Sequence, residues 1–370
     1  MHEHDPEKRA QMNIYFVESE PLEQQFFAEE LQGHNVRFAD DLSEVGEDAG
    51  VLSVFIYSQV DAQFLDAHPR LKFVTTRSTG YDHIDLVECA KRGVAVASVP
   101  SYGENTVAEH AFALILALSR RLRESFETNK KSRFSYEAIR GFDLKGKTLG
   151  VIGCGRIGLH MIRIARGFEM EARAYDLHKM ALVAEVAGFS YVSLDELLAC
   201  SDIISLHIPL SPETRHLINR DTLSKCKHGA LIINTARGQL IDTAALIEAL
   251  DSGKIGGAGL DVLEDERVLQ HDSESVIGKQ IISTLQHIGS GSARTELRQD
   301  PARVRELQTL MQNTRLISQP NVVFTPHSAF NSVEAVERIN RTTIRNIRRF
   351  LKGASGNVIM PKNTPPENSL

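Results

Sequence analysis

TLGVIGCGRIGLHMIRIARGF, Thr148–Phe168, decides the fold. A short apolar run leads into Gly153, Gly155 and Gly158 at GxGxxG spacing, and a helical pattern follows at once. Each glycine has its own steric reason: Gly153 allows a tight turn, Gly155 lets backbone approach a pyrophosphate, and Gly158 lets helix and strand pack closely. The helix N-terminus, with Arg156 and Ile157 in its first turn, turns N–H groups and a positive dipole end toward the anion. Glycine-rich turns are common, so the spacing alone is weak. The next strand-like run, EARAYD, supplies the context by ending in Asp176, eighteen residues after Gly158. An acidic residue there accepts from ribose hydroxyls and repels a 2′-phosphate, which selects NAD over NADP. Cys154 sits inside the loop, where a thiol pKa can fall, but it reads as a small residue tolerated in the turn.

Working outward, strand-like and helical runs alternate on both sides, the pattern of a parallel sheet. Downstream the strands are DIISLHI, GALIIN and IGGAGLDV, closing near NVVFTPH, Asn321–His327. Upstream they are MNIYFVE, VLSVFIY, KFVTTRS and VAVASVP, with helical spacing in PLEQQFFAEEL and VDAQFLDAH. Between the two blocks lies ENTVAEHAFALILALSRRL, Glu104–Leu122, apolar almost all round and so in need of cover from layers or another subunit. A polar hinge, Lys130–Lys147, follows it, and SVEAVERINRTTIRNIRRFL forms a last helix before a loose tail. The mostly polar stretch from about 267 to 320 is long for a loop in a compact domain, and VRELQTLMQNTRLI within it has the spacing of a helix. Its composition suggests few buried apolar contacts, local mobility and no part in the chemical step.

The chain has 370 residues, enough for two domains, and a net charge of −6. Mild acidity supplies no basic footprint for nucleic acid or an anionic membrane. The longest apolar run, Ala111–Leu118, is far short of the roughly 20 residues a membrane helix needs. MHEHDPEKRA is charged and reads as a frayed leader rather than a secretory signal. Cys89, Cys154, Cys200 and Cys226 are far apart and suit neither a disulfide framework nor a metal site, so free thiols in the cytoplasm are expected.

Three more segments carry polar residues at the ends of apolar strands, where open α/β sheets bind ligands. They are LIINTARGQLID with Arg237, AGLDVLEDE with Asp261 and Glu266, and VVFTPHSAF with His327. An Arg fork grips a carboxylate bidentately. A His beside a carboxylate moves a proton near neutral pH. With NAD, such a set suggests hydride transfer at a carbon next to a carboxylate. Singly, each has a plain structural reading: surface charge, part of an acidic run, or a satisfied strand-end group.

RSTGYDHIDL, VPSYGENTVAEHAFAL, GKTLGVIGCGRIG, SLHIPLSPETRHLIN, NTARGQLID, AGLDVLEDE and TPHSAFNSVEA run in order from Arg77 to Ala335. Together they resemble the D-isomer-specific 2-hydroxyacid dehydrogenase family, most of all its D-lactate dehydrogenase-like branch. The resemblance implies two Rossmann-like, doubly wound parallel-sheet domains. Residues 1–104 and 332–370 would form a discontinuous substrate domain, and 105–331 an inserted NAD domain carrying the long 267–320 segment. It implies that Arg237 grips the substrate carboxylate, that His327 is the general acid/base, and that Glu266 tunes it. Thr79 and Gly80 would offer backbone N–H groups to the same carboxylate. Tyr102, Phe330 and, more weakly, Tyr57 would face the substrate. For NAD, Arg156 and Ile157 would meet the pyrophosphate, and His207, Pro209 and Thr214 would flank the dinucleotide. Thr106, Ala236 and Asp261 would lie near the nicotinamide. A homodimer is implied as well, with no metal, membrane or nucleic-acid partner.

The long 267–320 segment departs from the family pattern and leaves substrate size and assembly open. Two other classes compete with a 2-keto acid reductase. One is an NAD-sensing corepressor, against which the full Arg237, Glu266 and His327 set argues. The other is a dehydrogenase of formate, phosphite or a phosphorylated hydroxy acid; Tyr102 and Phe330 favour a small, partly apolar substrate side chain over a phosphate.

Overall fold

The computed structural model describes residues 11–130, 136, 139–266, 301–354 and 357–359. The frayed leader, most of the tail, part of the polar hinge and the first part of the long segment, 267–300, lie outside the described residues. The chain divides into two compact units, Met1–Tyr102 with Ser332–Leu370, and Gly103–Asn331.

The first unit starts with β1 Asn13–Val17, α1 Pro21–Glu30, β2 Asn35–Ala39 and β3 Val51–Val54. It continues through α2 Ala62–Ala67, β4 Phe73–Thr76, α3 Leu86–Lys91 and β5 Ala95–Ala97. All five strands are parallel, in the order β2-β1-β3-β4-β5. β3 and β4 are buried along their whole length, as strands covered on both faces must be. β2 was not expected from the sequence. NVRFA is the half-exposed edge of the sheet, so burial imposes no apolar run on it.

The second unit opens with α4 Glu104–Ser119 and α5 Leu122–Lys130. Then come β6 Thr148–Ile152, α6 Arg156–Gly167, β7 Glu171–Tyr175, α7 Ala181–Ala187, β8 Ser190–Tyr191 and α8 Leu194–Cys200. β9 Ile203–Leu206, α9 Arg220–Lys225, β10 Ala230–Asn234, α10 Thr243–Asp251 and β11 Ile255–Leu260 follow. α11 Pro301–Ser318 and β12 Val322–Phe324 close the unit, and α12 Val333–Leu351 belongs to the first. The seven strands are parallel, in the order β12-β11-β10-β9-β6-β7-β8. From β6 the chain winds one way to β7 and β8, then crosses to β9 and winds the other way. The switch point therefore falls between the C-terminal ends of β6 and β9, where open α/β sheets bind ligands.

α4 finds cover within its own unit: Val107, Ala108, Ala111, Phe112, Leu114 and Ile115 are all buried, against α6, β10 and β11. Two expectations need correction. Residues 301–318 form the crossover helix from β11 to β12, in line with the helical spacing read over Val304–Ile317, but they are not short of buried contacts: Leu310, Asn313 and Leu316 are each 1% exposed. In the sequence, the charged and amide-bearing residues that fill this stretch mask that buried stripe. The tail is not wholly loose either: Val358 bridges Ala97 antiparallel, and Ile359 N–H donates to Val96 carbonyl at 2.8 Å.

Candidate active site

The glycine loop lies at the switch point and is shaped by close approach. Gly153 has φ +96°, and a Cβ there would come 2.4 Å from the His207 carbonyl oxygen at the end of β9. A Cβ on Gly158 would come 2.1 Å from the Gly153 carbonyl oxygen, so only hydrogen lets α6 sit this near β6. Gly155, the N-cap of α6, is different: a Cβ there meets no protein atom within 4 Å. Space beside a helix N-terminus is what a dinucleotide pyrophosphate requires, so the residues present fit NAD.

Asp176 follows β7 directly. Its carboxylate accepts from Cys154 N–H at 2.7 Å and from His178 N–H at 2.8 Å, one bond to each oxygen. Lone pairs remain on both oxygens for hydroxyl donors. The loop and its acid are thus one hydrogen-bonded assembly. Burial pushes the Cys154 thiol up, so the loop cysteine is an inert space-filler. Arg156 pairs with Glu104 at 3.3 Å, and Ile157 packs on the core beneath α6. After β9, burial pushes His207 down to about 3, so the ring is neutral, with Nε2 2.8 Å from Ser205 Oγ. Thr214 Oγ1 donates to the Pro209 carbonyl at 2.8 Å and closes that loop.

The polar strand ends converge on the same C-terminal edge of the sheet. His327, three residues past β12, has φ +50°, an uncommon conformation for a non-glycine residue and one met at functional sites. Its Nδ1 lies 2.5 Å from Glu266 Oε1, and Glu266 Oε2 accepts from Leu263 N–H at 3.1 Å. Both side chains keep about a fifth of their surface, enough to meet a ligand. Arg237 follows β10: Asn234 Nδ2 donates to its carbonyl at 2.8 Å, and its Nη1 donates to the Ala236 carbonyl at 2.7 Å. Ala236 N–H in turn donates to Asn234 Oδ1 at 3.0 Å, so buried Asn234 shapes the whole turn. Phe330 is half-buried three residues beyond His327, and Thr106 is buried in the first turn of α4.

Asp261 has a different setting from the others. It is fully buried at the end of β11, and its carboxylate accepts from Thr325 Oγ1 at 2.5 Å, Ser328 N–H at 2.9 Å and Ala329 N–H at 2.8 Å. Its carbonyl accepts from His327 N–H at 2.8 Å. Burial alone would raise its pKa, but the bonds from His110, Thr325 and the two amides outweigh it and hold the group below the usual carboxylate range. Asp261 is the clamp that fixes the His327 turn.

Sequence reasoning missed the rest of that clamp. His110 on α4 places Nε2 2.9 Å from Thr325 Oγ1 and 3.4 Å from Asp261. Since Thr325 donates its proton to Asp261, the His110 nitrogen donates to Thr325. The signal was a polar residue interrupting the apolar run of α4, which costs free energy in a buried helix unless it is bonded. Asn313 on α11 was missed too. Its Nδ2 donates to the Glu264 carbonyl at 2.7 Å, bracing the turn that carries Glu266. The long segment thus bonds to the turn that precedes Glu266.

In the first unit, Thr79 and Gly80 lie in the turn after β4. Arg77 anchors that turn: it is 2% exposed, donates to the Val17 carbonyl at 2.8 Å and to the Glu18 carbonyl, and faces Phe55. Burial lowers its pKa and raises that of Glu18, which accepts from Ser58 and, at 3.3 Å, from Tyr57 N–H. Thr79 Oγ1 donates to the Val99 carbonyl at 2.8 Å, and Ser78 Oγ to the Gly80 carbonyl at 2.6 Å. Tyr102 is half-buried, with its carbonyl bonded by Arg338. Among the described residues there is no cluster able to hold a metal, and no helix is long and apolar enough to cross a membrane.

Comparison with known proteins bears directly on this geometry. Residues 112–329 match the sequence model described as D-isomer specific 2-hydroxyacid dehydrogenase, NAD binding domain. A 2-hydroxyacid dehydrogenase homolog of Haemophilus influenzae is 36% identical over 340 residues, 91% of this chain and 92% of that one. D-lactate dehydrogenase of Escherichia coli is 38% identical over 283 residues, 76% of this chain and 77% of that one. The solved structure of D-lactate dehydrogenase from Aquifex aeolicus, complexed with NAD and lactic acid, is 36% identical and superposes with a TM-score of 0.78. That match covers 92% of this chain and 96% of that one.

Proposed function

The chain belongs to the D-isomer-specific 2-hydroxyacid dehydrogenase family and is an NAD-dependent oxidoreductase; from that premise we propose that it reversibly reduces a small 2-keto acid to the D-2-hydroxy acid. The observation that carries the reading is the 2.5 Å pair of His327 and Glu266, on the sheet edge that also holds the glycine loop and Arg237.

When bound, the nicotinamide supplies the hydride to the carbonyl carbon. His327, protonated, donates from Nε2 to the developing alkoxide, while its Nδ1–H stays bonded to Glu266. The Glu266 carboxylate orients the ring by accepting that bond. Asp261, with Thr325 and His110 behind it, keeps the His327 turn in place. Arg237 offers its fork to the substrate carboxylate, a grip no ammonium can reproduce. Thr79 and Gly80 add backbone N–H groups to the same anion. Tyr102, Phe330 and Tyr57 surround a small, partly apolar substrate side chain. For the cofactor, Gly153, Gly155, Arg156, Ile157 and Gly158 receive the pyrophosphate and Asp176 the adenosine ribose. His207, Pro209 and Thr214 border it, with Thr106, Ala236 and Asp261 toward the nicotinamide end.

In this reading residues 105–331 are the NAD domain, and 1–104 with 332–370 the substrate domain. The four free thiols fit the cytoplasm, and a homodimer is the expected assembly. The test is NADH oxidation with pyruvate, a branched 2-keto acid and phenylpyruvate in turn. Turnover is expected with at least one. NADH binding without turnover of any would favour a sensor.

A further inference from the structure

A groove of about 400 Å³ runs between α1 and α12 in the first unit, on residues that no catalytic assignment uses. Its floor is apolar, from half-buried Phe26 and buried Ile344. Its walls are cationic, from Arg341, Arg345, Arg348, Arg349 and Lys352, against Glu30 alone among the lining residues. Glu30 is answered by Arg348, which bonds both its carboxylate at 2.7 Å and its carbonyl at 2.6 Å and so ties the two helices together. Arg341 is answered by Glu337 one turn earlier. Among the described residues, Arg345, Arg349 and Lys352 have no acidic partner in any ion pair, so a charge of +3 is left over.

The three uncompensated cations share one side of α12. At 100° per residue, Arg349 and Lys352 fall within about 40° of Arg345, and the set spans roughly 10 Å of helix axis. Like charges four apart on a helix destabilise it by a few tenths of a kcal/mol per pair, and α12 carries Arg341–Arg345 and Arg345–Arg349, with Arg348 four before its C-cap Lys352. The helix C-terminus relieves part of that repulsion. A bound anion would relieve the remainder. Arg345 is already held by its bond to Thr342 Oγ1 at 3.0 Å, so less side-chain freedom would be lost on binding.

We infer that this groove binds a small organic diphosphate, its phosphoryl groups on Arg345, Arg349 and Lys352 and its apolar part on Phe26 and Ile344. The length of the cationic strip suits two linked phosphates, guanidinium forks match phosphate oxygens, and the groove volume lies within the range of small-molecule sites. A merely solvated charged face needs neither a concave apolar floor nor three co-facial cations left uncompensated.

The test uses the full chain saturated with NADH, so that the glycine loop is already filled. Isopentenyl diphosphate and inorganic pyrophosphate are titrated by calorimetry at fixed ionic strength. One site per chain is expected, with the organic diphosphate several-fold tighter. Arg345→Glu/Arg349→Glu/Lys352→Glu should weaken both at least tenfold, while Arg220→Glu/Lys225→Glu/Lys227→Glu should leave both unchanged. Pyruvate turnover without diphosphate should be the same in all three proteins, showing that each is folded. Equal weakening by the two triple variants would mean non-specific charge and overturn the site. Equal affinity for the two ligands would overturn the role of the apolar floor. Sedimentation with phosphatidylglycerol vesicles that pyrophosphate fails to compete would place a lipid surface there instead.

Discussion

The glycine loop and the His327 turn lie on the same sheet edge but are built from opposite materials. The loop is made of backbone: a helix end, three glycines whose missing Cβ atoms are required or left open, and one carboxylate bonded to the loop's own amide. The His327 turn is made of side chains from two strand ends and a helix, brought together from Asp261, Glu266, Thr325 and His110. A pyrophosphate is recognised by many weak, fixed dipoles, which backbone supplies. A proton must be held and released at one atom, and only a titratable side chain does that. Binding and chemistry are therefore separable by mutation.

The largest effect should come from the turn. His327→Ala removes the proposed proton donor and should cut turnover by about 10²–10⁴-fold with NADH affinity preserved. Steady-state kinetics beside a fluorescence titration of NADH would measure both. Loss of NADH binding in that variant would break the division.

Asp261→Asn should come next. Its buried carboxylate takes bonds from two amides, Thr325 and His110, and the neutral amide leaves that network short of an acceptor. A loss of about 2–4 kcal/mol in unfolding free energy is expected. Because the carboxyl pKa is depressed in the fold, its stabilisation is present above its unfolded value and vanishes as pH falls through the folded one. The stability gap between wild type and Asp261→Asn should accordingly close only below the unfolded carboxyl's pKa of about 3.9, as denaturant midpoints at pH 7 and at about pH 2.5 would reveal. A gap that stays constant would mean the carboxylate's charge plays no part.

On the cofactor side, Asp176→Ala should weaken NADH use roughly tenfold and improve NADPH use relative to it. Wild-type preference for NADPH would refute the reading of that strand end. The smallest effect is expected at Glu266→Gln, which keeps an acceptor for Nδ1–H but removes the charge. Activity should persist at reduced level, with the pH optimum for reduction moved downward. An unchanged profile would assign Glu266 a purely steric part.

The same contrast explains what the sequence revealed. The dinucleotide half was legible because its residues are contiguous and each spacing answers one steric demand. Arg237, Glu266 and His327 were visible as polar strand ends, but their association needed the family resemblance, since no spacing in the chain brings them together. His110 left only the signal of a polar break in an apolar helix and Asn313 none among its polar neighbours, and only the fold shows where their bonds go. β2 was missed as a half-exposed edge. α11 was legible as helical spacing over Val304–Ile317, but its burial was not, because Leu310, Asn313 and Leu316 stand among charged and amide-bearing neighbours.

Separability is tested most directly by single-turnover oxidation of NADH by pyruvate at saturating NADH, in wild type, Asp176→Ala and His327→Ala side by side. With cofactor binding saturated, Asp176→Ala should react within a few-fold of wild type and His327→Ala at least a hundred-fold more slowly. Equal loss in both variants, or near-wild-type reaction without His327, would contradict it.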